Sequence, residues 1–530
     1  MKKLRLLIIL LSLSTFVGCN SAQKNQPEQQ EQKQGQPAIS DEVKQYLKEQ
    51  GIDVSKPVGP MLSTNVQEAE INVDCAETLS DFLHVERYNN FESSMEFVDQ
   101  RDADIKFFNE SGLHGKIYRV WFIGNSYYDE ITDKVDISEM SDYLSDASKI
   151  SDYVLVNCSH LGVVRGWDVS DDIKVERLSK ILKELKKNFP KIKYIEATNE
   201  PDYANEGVTP DNYYDYYKIY YQAVNKVNDE LNPEIPLLVG GPSVSQFSMK
   251  WLQPFLDAYV KDPSPEKRLD FISYHGYYTK PDSAYILFKD DPSLVKEQRT
   301  LLNRELASRG IRIDIPVFIT EMGIYPGPAF DDFVTMKNDH LRQAVGMASL
   351  FYWYLTTADK TYPFNWVMRH RKEGRKDQLV TRNEFGQPMI ETQKLTPYGN
   401  MMVMMSKMKD TRISSTSSTE IEEGKGLYSL ATKDESGISV MVWNFQSRDT
   451  QGFDATLNLN NLHKALNTKN VNVKLYKIDG EHSNYHTDLE NCNLQMVEEK
   501  TIKTDDVFKS TLHFEPNTLQ LIVLEPAETN

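Results

Sequence analysis

Short β-rich runs alternate with longer helical patterns from about residue 110 to 408, and beyond Lys409 the rhythm changes to period-two alternation with polar turns. Together these predict an α/β fold, a (β/α)8 TIM barrel carrying a C-terminal β-sandwich. A third observation agrees. Two acidic tags, Ile195-Glu196-Ala197-Thr198-Asn199-Glu200-Pro201 and Phe318-Ile319-Thr320-Glu321-Met322-Gly323, each close an apolar run more than a hundred residues apart. The C-terminal ends of barrel strands all open onto one shared bowl, so such tags can meet there.

Seven strand candidates come in a regular series: Lys116 to Phe122, Tyr153 to Cys158, Lys193 to Glu200, Pro236 to Gly240, Asp270 to His275, Pro316 to Glu321 and Phe364 to Met368. An eighth must lie upstream, either Glu70 to Cys75 or Leu83 to Tyr88. Between them Asp172 to Phe189, Asp211 to Leu231, Lys250 to Val260, Ser293 to Arg309, Leu341 to Thr356 and Pro397 to Met408 read as helices. This count puts Glu200 on strand four and Glu321 on strand seven. Past residue 409, Leu427 to Thr432, Ile438 to Phe445, Ala455 to Leu459, Val471 to Ile478, Ser510 to Phe514 and Leu519 to Leu524 are expected sandwich strands. The tyrosine-rich segment Asp211 to Tyr221 has the i, i+4, i+7 spacing of a packed helix face, through Tyr213, Tyr217 and Tyr220.

The start of the chain fixes the compartment. Met1-Lys2-Lys3-Leu4-Arg5 is a basic n-region and Leu6 to Phe16 an apolar h-region too short to span a bilayer, so residues 1–19 read as a signal peptide. Val17-Gly18-Cys19 resembles a bacterial lipobox, which predicts lipidation of Cys19; ordinary cleavage nearby is the competing reading. Residues 20–60 then read as a flexible tether, because Asn20 to Ser40 is mostly Gln, Glu, Lys and Pro and has little to bury. The expectation is export through the inner membrane and a lipid anchor in the bacterial cell envelope, with no other membrane contact. Residues 61–408 make the expected barrel and 409–530 the sandwich, two domains for a chain too long for one core.

Composition excludes several classes. The 60 Lys and Arg against 78 Asp and Glu leave a net charge of −18, which argues against a nucleic-acid surface. Besides Cys19, only Cys75, Cys158 and Cys492 occur, widely spaced and without a CxxC or His-paired pattern, so no disulfide framework or metal site is expected. No phosphate loop, Rossmann fingerprint or serine elbow appears, and no cofactor is implied.

Paired carboxyls supply a chemistry that needs none. A retaining glycosidase uses one carboxyl to protonate the leaving oxygen and another to attack the anomeric carbon, roughly 5 Å apart. Glu200 is the expected acid/base, with a salt-bridged loop glutamate as the competing reading and Glu196, on the same strand face, as a rival. Glu321 is the expected nucleophile, and it needs donors around it to stay ionised. Arg119, His275 and Tyr277 are the natural donors. Asn199 is expected at the sugar 2-hydroxyl. Trp366 could form a floor for sugar C–H groups, and Trp167, in Arg165-Gly166-Trp167, a further platform. After Trp366 the basic run Met368 to Lys376, with Arg369 and Arg371, lies in the loop after strand eight on the same face and could pair with an acidic or sulfated carbohydrate, with ordinary solvated surface as the competing reading.

Glu196-Ala197-Thr198-Asn199-Glu200-Pro201, Phe271-Ile272-Ser273-Tyr274-His275-Gly276-Tyr277 and Phe318-Ile319-Thr320-Glu321 resemble the strand-four, strand-six and strand-seven motifs of clan A glycoside hydrolases. With Gly240-Gly241-Pro242 on strand five and the C-terminal sandwich, the chain most resembles glycoside hydrolase family 39 over roughly residues 110 to 526. That resemblance implies a barrel-and-sandwich fold and pentoside or iduronide substrates. It also implies an arginine and a strand-six tyrosine holding the nucleophile. The leading expectation is a retaining hydrolase of oligo- or polysaccharides. A non-catalytic glycan-binding lipoprotein is the alternative, and an envelope scaffold would leave both acidic tags unexplained.

Overall fold

The computed structural model describes residues 62–92, 101–122, 127–158, 168–203, 207–277, 291–323, 339–357, 359–369, 393–446, 450–468, 470–485, 487–488, 490–503 and 506–527. Eight parallel strands close into a barrel in chain order: Tyr88–Phe91, Gly115–Phe122, Ser151–Cys158, Ile192–Glu196, Leu238–Val244, Phe271–Tyr277, Val317–Gly323 and Thr361–Arg369. Strand eight returns to strand one where Asn365 pairs with Asn89.

Parallel strands sheathed by helices are buried on both faces, and these are. Outward residues such as Val154, Val156, Val317 and Ile319 pack under the helices. Inward, Tyr88, Ile117, Leu155, Phe271, Phe318 and Phe364 fill the barrel as an apolar floor. Two residues further along, Asn90, Arg119, Asn157, Glu196, Ser273 and Thr320 are all buried and polar. The site is therefore built on a dry plug.

The helices Asp171–Asn188, Tyr213–Leu231, Met249–Lys261, Gln298–Ser308, Asp339–Thr357 and Pro397–Met405 lie close to the expected ones. Tyr213, Tyr217, Tyr220 and Tyr221 are buried, so the tyrosine-rich helix packs against the barrel as its spacing predicts. Two of its hydroxyls, those of Tyr214 and Tyr221, donate to one oxygen of Asp262, at 2.9 and 2.7 Å.

The first barrel strand is Tyr88–Phe91. It begins on the last residue of the candidate Leu83 to Tyr88, and the other candidate, Glu70 to Cys75, is not in the barrel. Those residues belong to a long strand, Asn65–Asp81, that pairs antiparallel with Thr411–Ser417 and parallel with Gln451–Asn460. The start of the expected barrel segment 61–408 is thus corrected: residues 65–81 are an interior strand of the C-terminal sheet, third from one edge. Ile71, Val73 and Cys75 alternate into its core, a pattern that does not say which sheet the strand joins. The sheet holds nine strands, including Thr411–Ser417 and Gln495–Lys503, which the expected set omits.

Strand Gly437–Phe445 joins the two bodies. Ile438, Val440 and Val442 face the sheet's own core, while Met441, Trp443 and Phe445 face the barrel's helices. Trp443 stacks on Tyr428 at 5.2 Å and donates its indole N–H to Ser349 Oγ at 2.8 Å. Replacing it tests the seam. Trp443→Ala is expected to cost about 3–5 kcal/mol in urea unfolding, and Trp443→Phe, which keeps a ring, distinctly less. Equal small losses would show that the seam contributes little.

Candidate active site

Strand two delivers the organising group. Arg119 points into the barrel one layer above the floor and is fully buried. Its guanidinium donates through Nε to Glu196 Oε2 at 2.7 Å and through Nη2 to Asn199 Oδ1 at 2.8 Å. Its Nη1 serves both Glu321 Oε1 at 2.8 Å and Asn90 Oδ1 at 3.0 Å. The Trp121 ring lies 4.6 Å from the guanidinium carbon, and Trp366 meets Trp121 edge-on at 5.9 Å. One cation thus links strands one, two, four and seven.

Glu321 owes its direction to a break in the pleat. Strict alternation from Phe318 would turn Thr320 and Met322 inward. Between Ile319 and Glu321, however, strand seven gains one residue on strand six, so Glu321 pairs with His275. A bulge of this kind re-aims a side chain. Glu321 then shares the inward face with His275 and Tyr277, whose hydroxyl donates to Glu321 Oε2 at 3.0 Å.

Glu200 arrives differently. Strand four ends at Glu196, so Glu200 lies on the turn beyond it rather than on the strand itself. Its φ of +45° is in the left-handed region, a strained setting for a residue with a side chain. Glu200 N donates to Ser243 O at 2.8 Å, and Ser243 has φ +53° as well. Thr198 anchors the approach, its hydroxyl 2.9 Å from Pro242 O and 3.1 Å from the Tyr213 hydroxyl.

The two carboxyls converge on His275. His275 Nδ1 lies 2.9 Å from Glu200 Oε1 and 3.6 Å from Glu321 Oε2, and its Nε2 is 3.3 Å from Ser243 Oγ. An oxygen of Glu200 and one of Glu321 are within 4.8 Å of each other. The side chains differ in exposure, at 26 % for Glu200 and 7 % for Glu321. Burial pushes the Glu321 carboxyl above its ordinary value, against the pull of His275 and Arg119. Glu196 meets the same burial, but the Arg119 guanidinium leads the interactions that outweigh it and hold Glu196 below the usual range. Burial also opposes a charge on His275, yet Glu321 and Glu200 outweigh it and raise its pKa. The Tyr277 phenol is pushed well above its usual value by burial and then by Glu321, so it stays a donor.

Glu200, His275 and Glu321 have the donor spacing of a three-ligand metal site. Their partners do not suit one. Arg119 and Tyr277 already donate to the two oxygens of Glu321, and a second cation would sit against the guanidinium.

Residues 187–491, more than half of the chain, match the family model described as Glycosyl hydrolases family 39. The chain belongs to this family. It is a glycoside hydrolase. Among solved structures, a bacterial orthologue of human α-L-iduronidase is similar over 87 % of this chain and 84 % of its own, with TM-score 0.66 and 14 % identity. The family 39 enzyme of Xanthomonas axonopodis pv. citri has TM-score 0.62 at 12 % identity, covering 89 % of this chain and 99 % of that one. A monomeric β-xylosidase from Caulobacter crescentus CB15 has TM-score 0.61 at 12 % identity, covering 86 % and 99 %. No curated protein matches the sequence.

Of the expected site residues of this family 39 chain, Arg119, Glu321, Asn199 and Tyr277 come together in one hydrogen-bonded group and Glu200 with His275 in a second, the two meeting where His275 Nδ1 lies 3.6 Å from Glu321 Oε2. Trp366 is half-buried beside Trp121. Trp167, Cys19 and Arg371 lie outside the described residues, as does the side chain of Arg369. Sequence reasoning missed Asn90, Asn157, Trp121 and Ser243. Asn90 and Trp121 were within reach, since both lie two residues from an inward position by strand alternation. Ser243 was not.

The pairing of Arg119 with Glu196 yields a stability test. Glu196→Ala strands a buried cation beside one fewer carboxylate and should cost about 3–5 kcal/mol. Because the folded pKa of Glu196 is depressed, its contribution is complete above the unfolded value of about 4.3 and fades as pH falls through the folded one. Urea unfolding of parent and Glu196→Gln should therefore converge in strong acid. A difference that grows on acidification would contradict the pairing.

Proposed function

We propose that this glycoside hydrolase cleaves oligo- or polysaccharides with retention, using Glu200 as acid/base and Glu321 as nucleophile. One observation carries the reading: an oxygen of each carboxyl lies within 4.8 Å of the other, which suits a retaining pair and leaves no room for the water an inverting pair needs between its carboxyls. Glu200, nearer solvent, gives its proton to the glycosidic oxygen as the bond to the anomeric carbon breaks. A Glu321 oxygen forms the new bond to that carbon. Water then attacks the same carbon, Glu200 takes its proton, and Glu321 leaves as carboxylate.

The surroundings fit these roles. Arg119 and Tyr277 hold Glu321 by both oxygens, so it meets the anomeric carbon in one orientation. Asn199 gives its amide oxygen to Arg119, which directs its amide N–H toward a substrate hydroxyl. A hydrogen bond to the 2-hydroxyl there strengthens in the transition state. The basic run after Trp366 favours an acidic or sulfated sugar, and two structural relatives, an iduronidase orthologue and a β-xylosidase, put uronides and pentosides first among substrates to try.

Glu200→Ala should lose about 10²- to 10⁴-fold on substrates with poor leaving groups, much less on activated aryl glycosides, and azide should rescue it as a glycosyl azide of retained configuration. Glu321→Ala should lose at least about 10³-fold on every substrate. Inverted azide product, or full activity in either variant, would sink the assignment. If no uronide or sulfated glycoside is cleaved faster than its neutral counterpart, the acidic-sugar part fails alone.

The pH profile gives a separate check. Glu321 must be ionised to attack, and its pKa is raised by burial. Activity should therefore fall away as pH drops below that raised value, placing the acid limb of kcat/KM above the ordinary glutamate value of about 4.3, while the alkaline limb belongs to Glu200, which must carry a proton. A limb at or below that value would remove Glu321 from the role.

A further inference from the structure

The chain contains 28 Tyr, 22 Phe and 6 Trp, and among the described residues every large aromatic ring is buried or half-buried except one. Tyr203 is 76 % exposed, and the other exposed large apolar side chains are aliphatic. A single exposed ring is ordinary on a protein surface, so exposure alone says little about it. Its position is more telling than its exposure. Tyr203 is three residues beyond Glu200, in the turn Glu200-Pro201-Asp202-Tyr203 that leaves strand four.

That turn is held firmly. Tyr203 N donates to Glu200 O at 3.1 Å, and Pro201 is buried. Asp202 accepts from Ser245 N at 2.8 Å and from Ser245 Oγ at 2.7 Å, tying the turn to the end of strand five. The Glu200 N–H bond to Ser243 O pins it a second time. The ends of such a turn lie less than about 7 Å apart, so the tyrosine backbone is fixed within one turn of the Glu200 carboxyl. A ring on a fixed backbone loses little freedom when something covers it.

We propose that Tyr203 is the stacking platform for the sugar on the leaving-group side of the scissile bond. The inference rests on Glu200 being the acid/base. An acid that protonates the glycosidic oxygen stands beside the departing group, so a ring one turn away borders the space that group fills. A flat aromatic face gives apolar contact to the C–H face of a pyranose. The ligand is then a saccharide of at least two units, recognised on both sides of the bond rather than by its terminal sugar alone.

The test uses the full chain and two substrates sharing the same terminal sugar, a disaccharide and the corresponding glycosyl fluoride, which places no sugar on the leaving side. In Tyr203→Ala the ratio of kcat/KM for disaccharide over fluoride should fall about three- to ten-fold, mainly through KM for the disaccharide. Tyr203→Phe, which keeps the ring, should preserve the ratio. A ratio within twofold of the parent in Tyr203→Ala overturns the proposal, as does a loss shared by both substrates. Azide rescue of Glu200→Ala, measured alongside, judges the acid/base assignment separately. If rescue succeeds while the ratio stays fixed, the platform alone is wrong.

Discussion

A buried guanidinium governs this site. Removing Arg119 from water costs several kcal/mol unless its donors are engaged, and here four of its five N–H groups are, by two carboxylates and two amide oxygens, with the Trp121 ring against the guanidinium. One positive charge set between Glu196 and Glu321 leaves a surplus of negative charge, and the two carboxyls divide its effects unequally. Glu196, deep in the barrel and bonded also to the Asn157 amide at 2.7 Å, keeps its charge easily. Glu321 is pushed the other way, by burial first and by the nearby Glu200 after it. Two glutamates on the same cation thus acquire different acidities from position alone. The same fork orients Asn199, so the group that would hold the sugar and the group that would attack it are placed by one side chain.

Convergence also requires two departures from regular strand geometry. An added residue in strand seven turns Glu321 into the bowl, and a left-handed turn after strand four swings Glu200 over it. Each is costly on its own; a non-glycine residue at positive φ costs of order 1–3 kcal/mol. The surrounding structure holds them in place. Thr198 and Glu200 bond to the strand-five end at Pro242 and Ser243, which are themselves wedged between strand four and the His275 ring. Strands four to seven therefore act as one unit at the rim, and a change at Ser243 or Thr198 would be felt at both carboxyls.

Much of this was legible in the sequence because the signals were chemical. The acidic tags at Glu200 and Glu321, the inward arginine at 119 and the paired His275 and Tyr277 follow from strand ends and period-two alternation. What alternation could not convey is where it fails. From Phe318 it places Thr320 inward and Glu321 outward, and only pairing with strand six reveals the bulge. Ser243 carries no titratable group and so left no trace, although it bridges Glu200 and His275. The barrel's first strand was ambiguous for a similar reason. Ile71, Val73 and Cys75 give a clean buried stripe, but alternation reports that a face is covered, never by which sheet.

That misplaced strand explains how the two bodies are joined. Because Asn65–Asp81 is an interior strand of the nine-stranded sheet, third from one edge, the barrel is inserted within the second domain rather than followed by it. The insertion is nearly free of topological strain. A closed barrel brings its first and last strands together, so the chain can leave the sheet at Asp81 and rejoin it at Thr411 close by, where Phe82 N donates to Asp410 O at 2.7 Å. Unfolding the sheet would release both ends of the barrel at once. Strand one carries Asn90, which bonds Arg119, Thr320 O and Asn365 O, and so the closure of strands eight, one and two is the route by which the outer sheet steadies the buried cation.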